Sequence, residues 1–313
     1  MAVARRTVII DGDPGVDDAV ALLLAFASPE LDIAAITTVA GNVPAVLTAR
    51  NARVIRRIAG REDVPVHAGC VHPVMRDPVK ADHFHGPSGL GDLPVDDPGA
   101  PLAPGHAVDA LIEVVMGRPP RAVDMAVMGP MTNLALAIRL QPALAGRLGT
   151  VAVMGGARSE GGNITATAEY NIHADPHAAD IVLRSGVRPV LLGLDCTHQV
   201  RATEARIGDL EALGTPSALA AASLLRFSNR IERAVGGGEA APLHDPCTVA
   251  YLLAPELFET RPCRIDVETA SPMTLGCTAV EFRAEPAQVN ALWAVKADAE
   301  GVFALLTERL GAS

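Results

Sequence analysis

Four aspartates whose spacing suits metal chemistry follow a short apolar run near the N-terminus. Asp11, Asp13, Asp17 and Asp18 fall within eight positions after the β-branched run Thr7–Ile10. Carboxylates this close repel one another and raise one another's pKa unless a cation neutralises them. Asp17 or Asp18 could cap a helix, but capping needs only one of them. With no His or Cys beside them, the carboxylates favour a hard ion, which predicts Ca²⁺, with Mg²⁺ as the alternative.

Two later segments carry further polar groups. Asp245, in His244–Asp245–Pro246, is a candidate ligand for the same ion, although an Asp before Pro at a helix start is also a common cap. Gly161–Asn163 and Glu169–Asn171 offer amides and a carboxylate. Such groups suit sugar hydroxyls, and they equally suit an ordinary polar loop.

The segments that must position these residues alternate in type. Predicted strands are Thr7–Ile10, Leu31–Val39, Ala122–Met128, Thr150–Met154 and Pro189–Leu194, with a β pair at Arg264–Thr269 and Thr278–Arg283. Predicted helices are Ala19–Phe26, a stretch ending at Ile58, Ala107–Met116, Asn133–Leu140, Pro176–Arg184 and Ala299–Leu310. This alternation predicts an α/β fold, one domain over 1–313, with a mostly parallel central sheet flanked by helices. Residues 70–105 and the glycine-rich residues 236–244 are predicted as long loops, and ligands are expected at the carboxyl ends of the strands.

The overall composition argues against several classes of function. A net charge of -10 leaves no surplus of Lys and Arg to replace the counterions of a nucleic acid. Five widely spaced cysteines without a C-x-x-C pair favour reduced thiols over disulfides or a zinc knuckle. The apolar run after Arg5 and Arg6 is too short for a signal peptide, and no run approaches the length of a membrane span. A soluble cytoplasmic protein is expected.

Several segments together resemble one known family. Ile9–Ala19 (IIDGDPGVDDA) resembles the N-terminal signature of the inosine-uridine preferring nucleoside hydrolases, a D-x-D-P-G-x-D-D pattern after a strand. Similar blocks follow in family order: ITTVAGN (36–42), MGPMTN (128–133), VMGG (153–156), AEYN (168–171), HDPC (244–247) and RPCRIDVET (261–269). Each block alone is weak, but the ordered series spans nearly the whole chain.

The resemblance implies a Rossmann-like nucleoside hydrolase fold in a homo-oligomer, a dimer or tetramer. It implies calcium-dependent hydrolysis of the N-glycosidic bond of purine or pyrimidine ribonucleosides, in nucleoside catabolism and salvage. Asp13 would ligate Ca²⁺ and act as general base on a metal-bound water. The other ligands would be Asp18, Asp245 and the carbonyl of Met128.

The resemblance also assigns the two ends of a substrate. The residues implied at the ribose are Asp17, Asn42, Met154, Asn163, Glu169 and Asn171. His244 is implied as the acid on the nucleobase side, and His85 as a residue of a mobile loop over the base. Anionic groups around the ribose would stabilise an oxocarbenium-like transition state. A histidine with a pKa near neutrality would protonate the leaving base.

Two departures from the family pattern are visible. Gly12 stands where many relatives carry Cys, which alters packing. The stretch 227–243 contains no tyrosine, although several relatives use tyrosines there to contact or protonate the base. Arg230 and Arg233 lie in this stretch, and a solvated helix face explains them equally well. The base preference and the route of the leaving-group proton are therefore open.

Rival interpretations are less consistent with the sequence. A haloacid-dehalogenase-type phosphatase also places D-x-D after its first strand, but it needs Thr or Val where this chain has Pro14 and Gly15. An EF-hand loop would need Gly and Glu in place of Val16 and Leu22. Zinc is disfavoured because His67, His72, His83 and His85 have no carboxylate or Cys at ligand spacing. A family member that binds nucleosides without catalysis is the remaining alternative.

Overall fold

The computed structural model describes residues 5–79, 81–95, 100–235 and 238–312, apart from the side chains of Asp82 and His83. The strands in these ranges are β1 (Arg6–Gly12), β2 (Leu31–Thr38), β3 (Val66–Ala68), β4 (Val123–Val127), β5 (Leu148–Met154), β6 (Val190–Leu192), β7 (Phe258–Val267), β8 (Thr278–Glu281) and β9 (Ala291–Ala297). The α-helices there are α1 (Val16–Phe26), α2 (Ala45–Ile58), α3 (Asp82–His85), α4 (Ala107–Met116), α5 (Thr132–Leu140), α6 (Leu144–Arg147), α7 (Tyr170–Ala174), α8 (Pro176–Arg184), α9 (Leu194–Thr197), α10 (Glu204–Leu213), α11 (Pro216–Val235), α12 (Pro246–Leu253) and α13 (Ala299–Gly311).

The strands of the described ranges form one sheet in the order β3-β2-β1-β4-β5-β6-β9-β7-β8. Pairing is parallel from β3 to β9, and it is antiparallel where β7 joins β9 and β8 joins β7. The prediction of an α/β fold with a mostly parallel sheet is confirmed. The strand order reverses direction beside β1, which lies between β2 and β4. In an open α/β sheet this reversal opens a crevice at the carboxyl ends of the strands, where ligands bind.

Helices cover both faces of the sheet. One core joins α1, α2 and α10 to α13 to one face, and the other joins α4, α5 and α8 to the opposite face. Helix α1 is apolar on all sides because it packs against α2, α11 and α12 as well as β2. Its residues Leu22, Leu23 and Leu24 are completely buried. The helix that follows the aspartate cluster is therefore held rigidly in the core.

The C-terminal part of the sheet differs from the sequence-based expectation. The β pair near the C-terminus is confirmed, but β7 begins at Phe258, and β9 is an unpredicted strand that pairs with both β6 and β7. The predicted strand Pro189–Leu194 is shorter because Leu194 already begins α9. At the intervening turn, a Cβ on Gly193 would lie 2.4 Å from the ring of Trp293 in β9. The strand ends where this indole approaches the turn closely. The local sequence does not indicate that approach, because Trp293 lies far away along the chain.

Two helices, α10 and α11, are also absent from the prediction. The predicted loop 70–105 contains the short helix α3, and parts of both predicted loops (80, 96–99 and 236–237) lie outside the described residues. No helix in the described part of the chain has the length and apolar character of a membrane span.

Candidate active site

A cavity of about 350 Å³ opens beside the carboxyl ends of the parallel strands. The residues that the sequence resemblance assigned to a site and that line this cavity are Asp17, Asn42, His85, Met128, Met154, Asn163, Glu169, Asn171, His244 and Asp245. They come from loops separated by more than two hundred positions in sequence. Asp13 and Asp18 do not line the cavity, because both are completely buried.

Asp18 anchors the loop that follows β1. Its carboxylate accepts hydrogen bonds from the backbone N–H groups of Asp13 (3.1 Å) and Gly15 (3.0 Å), and from Nδ2 of Asn42 (3.0 Å). A carboxylate in the first turn of a helix also lies at the positive end of the helix dipole. The helix-start interpretation is thus correct for Asp18, but it accounts for only part of the cluster.

Asp13 is enclosed by backbone rather than by side chains. Its Oδ2 accepts the N–H of Asn42 at 2.7 Å, whereas its Oδ1 is buried without a hydrogen-bond partner. A Cβ on Gly41 would lie 1.9 Å from Oδ2, and one on Gly129 would lie 2.5 Å from Oδ1. The glycines in the ITTVAGN and MGPMTN segments therefore make room for this carboxylate. A buried acceptor atom without a donor indicates a missing cation or proton.

Asp245 joins the same cluster from the other end of the chain. It occupies the N-cap position of α12, but its side chain caps no backbone N–H. Instead, its carboxyl group is hydrogen-bonded to that of Asp18. Asp17, Asp18 and Asp245 each offer an oxygen within 4.8 Å of the others, and this is the one such group of His, Cys, Asp and Glu among the side chains that the structure describes. The interpretation of Asp245 as a cap is wrong.

Electrostatics show that these carboxyl groups need a counter-charge. Burial, and then the neighbouring charge of Asp17, raises the pKa of Asp18 to about 7. Burial raises the pKa of Asp13 and of Asp245 well above the ordinary value, and the surrounding aspartates raise both further. Without a cation the cluster must hold protons near neutral pH. A divalent ion fits these residues, since it would replace the protons and satisfy Oδ1 of Asp13.

Asp11 has a different role from its neighbours. Its Oδ1 accepts hydrogen bonds from Oγ1 of Thr37 (2.5 Å) and Nδ2 of Asn133 (2.8 Å), and burial raises its pKa to about 6. Asn133 in turn accepts the N–H of Cys70 and donates to the carbonyl of Thr38. Asp11 therefore ties the strand ends and a loop together, outside the lining of the cavity.

The residues assigned to the ribose are fixed by backbone contacts. Glu169 begins α7 and accepts the N–H groups of Gly156 (2.9 Å), Asn171 (2.8 Å) and Ile172 (3.1 Å). Nδ2 of Asn171 donates to the carbonyl of Met128 at 2.8 Å, so the predicted metal-ligating carbonyl already carries one hydrogen bond. A carbonyl has two lone pairs, which leaves one for an ion.

Asn163 completes this part of the wall, because its Oδ1 accepts the N–H of Tyr170 at 2.9 Å. The structure therefore combines the two interpretations of these segments. Their polar groups organise a loop, and they also line the cavity.

His244 is half-buried beside a second histidine. Nδ1 of His244 is 2.8 Å from Oγ1 of Thr197, and its ring centroid is 5.8 Å from that of His198. Burial lowers the pKa of His244 to about 4, although the charge of Asp17 raises it. Smaller contributions from neighbouring basic side chains lower it further. The expectation of a histidine that titrates near neutrality is not met in this structure. The imidazole is neutral at pH 7 and carries a single N–H.

His85 reaches the cavity from α3. Its Nδ1 accepts the backbone N–H of Val16 at 3.1 Å and lies 3.9 Å from Oδ1 of Asp17. A Cβ on Gly15 would approach His85 Nδ1 to 2.6 Å, so the glycine of the DGDPG segment permits this contact. The loop that carries His85 thus packs directly on the start of α1.

Sequence reasoning did not identify one wall of the cavity, which contains His198, Arg201, Ser228, Ile231, Glu232 and Val235. The four residues of α11 have the i, i+3, i+4, i+7 spacing of one helix face. Recognition of α11 as a helix would have identified them. Arg230 and Arg233 point elsewhere: Arg230 pairs with Asp92, and Arg233 pairs with Glu204 at 2.6 Å. The interpretation of these two arginines as part of a solvated face is confirmed.

Comparison with known proteins identifies the family. The model of a family described as inosine-uridine preferring nucleoside hydrolase matches residues 8–304. The chain belongs to this family. Members of the family are N-glycosyl hydrolases of ribonucleosides, so the chain is an enzyme of that class, and the phosphatase and EF-hand alternatives are wrong.

Several relatives match over nearly their whole length. An uncharacterized protein of Schizosaccharomyces pombe is 42% identical over 97% of this chain and 98% of its own length. The pyrimidine-specific ribonucleoside hydrolase RihA of Photobacterium profundum is 40% identical over 97% and 98%. The inosine-uridine preferring nucleoside hydrolase of Crithidia fasciculata is 37% identical over 97% of each chain.

Solved structures of nucleoside hydrolases share the fold. The plant enzyme PpNRh1 matches with a TM-score of 0.90 and 33% identity, over 98% of this chain and 99% of that one. A purine-preferring ribonucleoside hydrolase from Gardnerella vaginalis matches with a TM-score of 0.91 and 31% identity, over 98% of both chains. Together, the names of the relatives and of these structures include a pyrimidine-specific enzyme and a purine-preferring one.

The raised pKa values predict how stability depends on pH when divalent ions are removed. Burial raises the pKa of Asp13, Asp18 and Asp245, to about 7 for Asp18, so from about pH 4 up to about pH 7 the folded protein retains protons that the unfolded chain has lost. The free energy of unfolding therefore falls as pH rises through this range. We expect the thermal midpoint of chelator-treated protein to be lower at pH 8 than at pH 5 by roughly 5 °C or more.

A matched pair of variants isolates the cluster. In Asp245→Asn, an uncharged amide donates a hydrogen bond to Asp18 at every pH. This variant should therefore weaken the pH dependence of stability and raise the thermal midpoint of the chelator-treated protein at pH 8. Asp32→Asn removes an exposed carboxylate on β2 and should leave the dependence unchanged. If the thermal midpoint changed with pH equally in wild type and in Asp245→Asn, the result would contradict the raised pKa values.

Proposed function

We propose that residues 1–313 form one domain that hydrolyses purine or pyrimidine ribonucleosides to free base and ribose with the help of Ca²⁺. The observation that carries the proposal is the cluster of buried carboxyl groups from Asp13, Asp18 and Asp245, which adjoins a cavity large enough for a small ligand through Asp245. Such a cluster, with raised pKa values and an unpartnered Oδ1, is costly for folding and is expected at a functional site.

The proposed ligands of the ion are Asp13, Asp18, Asp245 and the carbonyl of Met128. Three carboxylates and a carbonyl are all hard oxygen donors, and Ca²⁺ accepts irregular sets of six to eight oxygens more readily than Mg²⁺ does. Asp17 is the remaining carboxylate of the cluster, and it faces the cavity. When bound, the ion supplies the positive charge that keeps the carboxylates ionised and lowers the pKa of water at the site.

The chain's own residues are proposed to act as follows. Oδ1 of Asp13, which has no hydrogen-bond partner, accepts the proton of the attacking water. Asp17 and Glu169 lie along the sugar with Asn42, Asn163 and Asn171, and Met154 covers its apolar face. The anionic groups stabilise the positive charge that develops on the ribose as the glycosidic bond breaks. Because Glu169 and Asn171 are already held by backbone contacts, the ribose site is preorganised.

The nucleobase is proposed to lie between His244 and His85. His244 donates a hydrogen bond from the N–H of its neutral ring to the departing base, which stabilises the negative charge that develops there, and Thr197 fixes the orientation of that ring. His85 covers the base from α3. The alternative, a member that binds nucleosides without cleaving them, lacks a specific observation in its favour, since all the carboxylates proposed for catalysis are present and buried.

Two further properties, the location and the assembly of the protein, are part of the proposal. The cysteines found in the described residues are free thiols, which accords with a cytoplasmic location. Val71 and Met75 are 58% and 70% exposed, and exposed apolar side chains only four positions apart accord with a homo-oligomer. Sedimentation analysis at several concentrations measures the assembly.

The proposed function predicts a strong requirement for the 2′-hydroxyl. Asp17, Asn163 and Glu169 would lose hydrogen-bond partners when a 2′-deoxyribonucleoside binds, and polar groups left without partners, above all the buried Glu169, cost binding and rate. A panel of purine and pyrimidine nucleosides, assayed for free ribose with Ca²⁺ present, should give kcat/KM values about 10³-fold higher for the ribonucleosides. Equal values for the two sugars would show that the ribose assignments are wrong, and no release from any nucleoside would favour the non-catalytic alternative.

The two proposed catalytic groups should respond differently to the leaving group. Asp13→Asn removes the general base, so it should reduce kcat for every substrate by about 10³-fold or more. His244→Ala should slow a natural nucleoside such as inosine or uridine by about 10²-fold, but it should barely affect p-nitrophenyl riboside, whose leaving group departs without a hydrogen-bond donor. Asp32→Asn is the control for loss of a carboxylate. Equal slowing of both substrates by His244→Ala would assign His244 to support of Asp245 instead.

A further inference from the structure

One wall of the cavity, formed by α11 and the segment after α9, has an unusual pair of charges. Helix α11 presents Ser228, Ile231, Glu232 and Val235 to the cavity, and Arg201 approaches from the segment after α9. These positions include the stretch in which tyrosines were expected from the family resemblance. Instead of aromatic rings, this chain places a carboxylate and a guanidinium on the wall.

The geometry leaves both charged groups able to bind a ligand. Oε1 of Glu232 is 3.9 Å from Nη1 of Arg201, which is too long for a hydrogen bond. The side chains are 26% and 39% exposed, so neither group is fully solvated nor sealed. Gly238 provides space for this carboxylate, since a Cβ there would lie 2.7 Å from Oε1.

The position of Arg201 is fixed by backbone contacts. Its Nε donates to the carbonyl of His198 at 2.8 Å, and its Nη1 donates to the carbonyl of Ala240 at 3.2 Å. A guanidinium anchored in this way loses little conformational entropy when it binds a ligand. The pair therefore offers a fixed donor group beside an acceptor group.

These two groups can recognise the edge of a base. If the ribose binds at Asp17, Asn171 and Glu169, the base extends toward α11, with Ile231 and Val235 available to its apolar faces. A carboxylate only accepts hydrogen bonds, and a guanidinium only donates them. Guanine presents two adjacent donors, N1–H and the exocyclic amino group, beside the acceptor O6. Hypoxanthine has the same ring but lacks the amino group.

We propose that Glu232 and Arg201 determine the base specificity of this enzyme and select guanosine, with Glu232 accepting N1–H and the amino group and Arg201 donating to O6. This inference rests on the proposed function, because it takes the position of the base from the proposed ribose site. A bidentate hydrogen bond to a carboxylate is stronger than a neutral one, and partial exposure weakens it.

The test compares guanosine with inosine, which differ by the amino group alone. For wild type we expect a guanosine to inosine ratio of kcat/KM of about 10 or more. Glu232→Gln keeps one acceptor for N1–H and loses the second, so the ratio should fall to near 1. Glu239→Gln removes a nearby exposed carboxylate outside the cavity and should preserve the wild-type ratio. Arg201→Met should lower the values for guanosine and inosine equally, since both carry O6.

Hydrolysis of p-nitrophenyl riboside separates failure of the inference from failure of the proposed function. If this substrate is cleaved and the wild-type ratio is near or below 1, or if Glu232→Gln leaves the ratio unchanged, the specificity proposal is wrong. If neither this substrate nor any nucleoside is cleaved, the proposed function is wrong. In that case calorimetry tests the same role of Glu232 through binding. Guanosine should then bind about 10-fold or more tightly than inosine, and this preference should fall to near 1 in Glu232→Gln.

Discussion

Desolvation of three carboxyl groups, those of Asp13, Asp18 and Asp245, is the constraint on which the arrangement of this site depends. Each group is at most 2% exposed, and each has a raised pKa because water is excluded and like charges are close. The surrounding backbone accommodates them: glycines on two neighbouring loops leave space around Asp13, and N–H groups at the start of α1 bind Asp18. A bound cation would offset this energetic cost by neutralising the carboxylates.

The sheet topology places the carboxylates and the wall formed by α11 on different structural elements. Strands β1, β4 and β5 end beside the reversal of strand order, and Asp13, Asp17, Met128 and Met154 lie at or just after these ends. Another wall of the cavity belongs to α11 and to the segment after α9, which lie outside the strand ends. Relatives with this fold have names that specify either pyrimidines or purines.

The sequence predicted the parallel sheet and the residues at its carboxyl ends because both depend on local patterns. Apolar runs mark the strands, and dense carboxylates such as Asp13, Asp17 and Asp18 mark the chemistry. It did not predict β9, whose role depends on Trp293 meeting Gly156 and Gly193 from distant segments. Nor did it predict the low pKa of His244, which results from burial by tertiary packing. The proposed role of Glu232 was not predicted either, because it depends on which face of α11 lines the cavity.

The central claim is that one divalent cation replaces the protons of this buried cluster, and calorimetric titration of the metal-stripped protein with Ca²⁺ tests it most directly. Titrations near pH 6.5 in buffers of different ionisation enthalpy measure both the number of ions and the number of protons released. The account predicts one Ca²⁺ per chain, released protons at this pH, fewer of them near pH 8, and weaker binding of Mg²⁺. Absence of Ca²⁺ binding, or binding whose heat is the same in every buffer at both pH values, would contradict it.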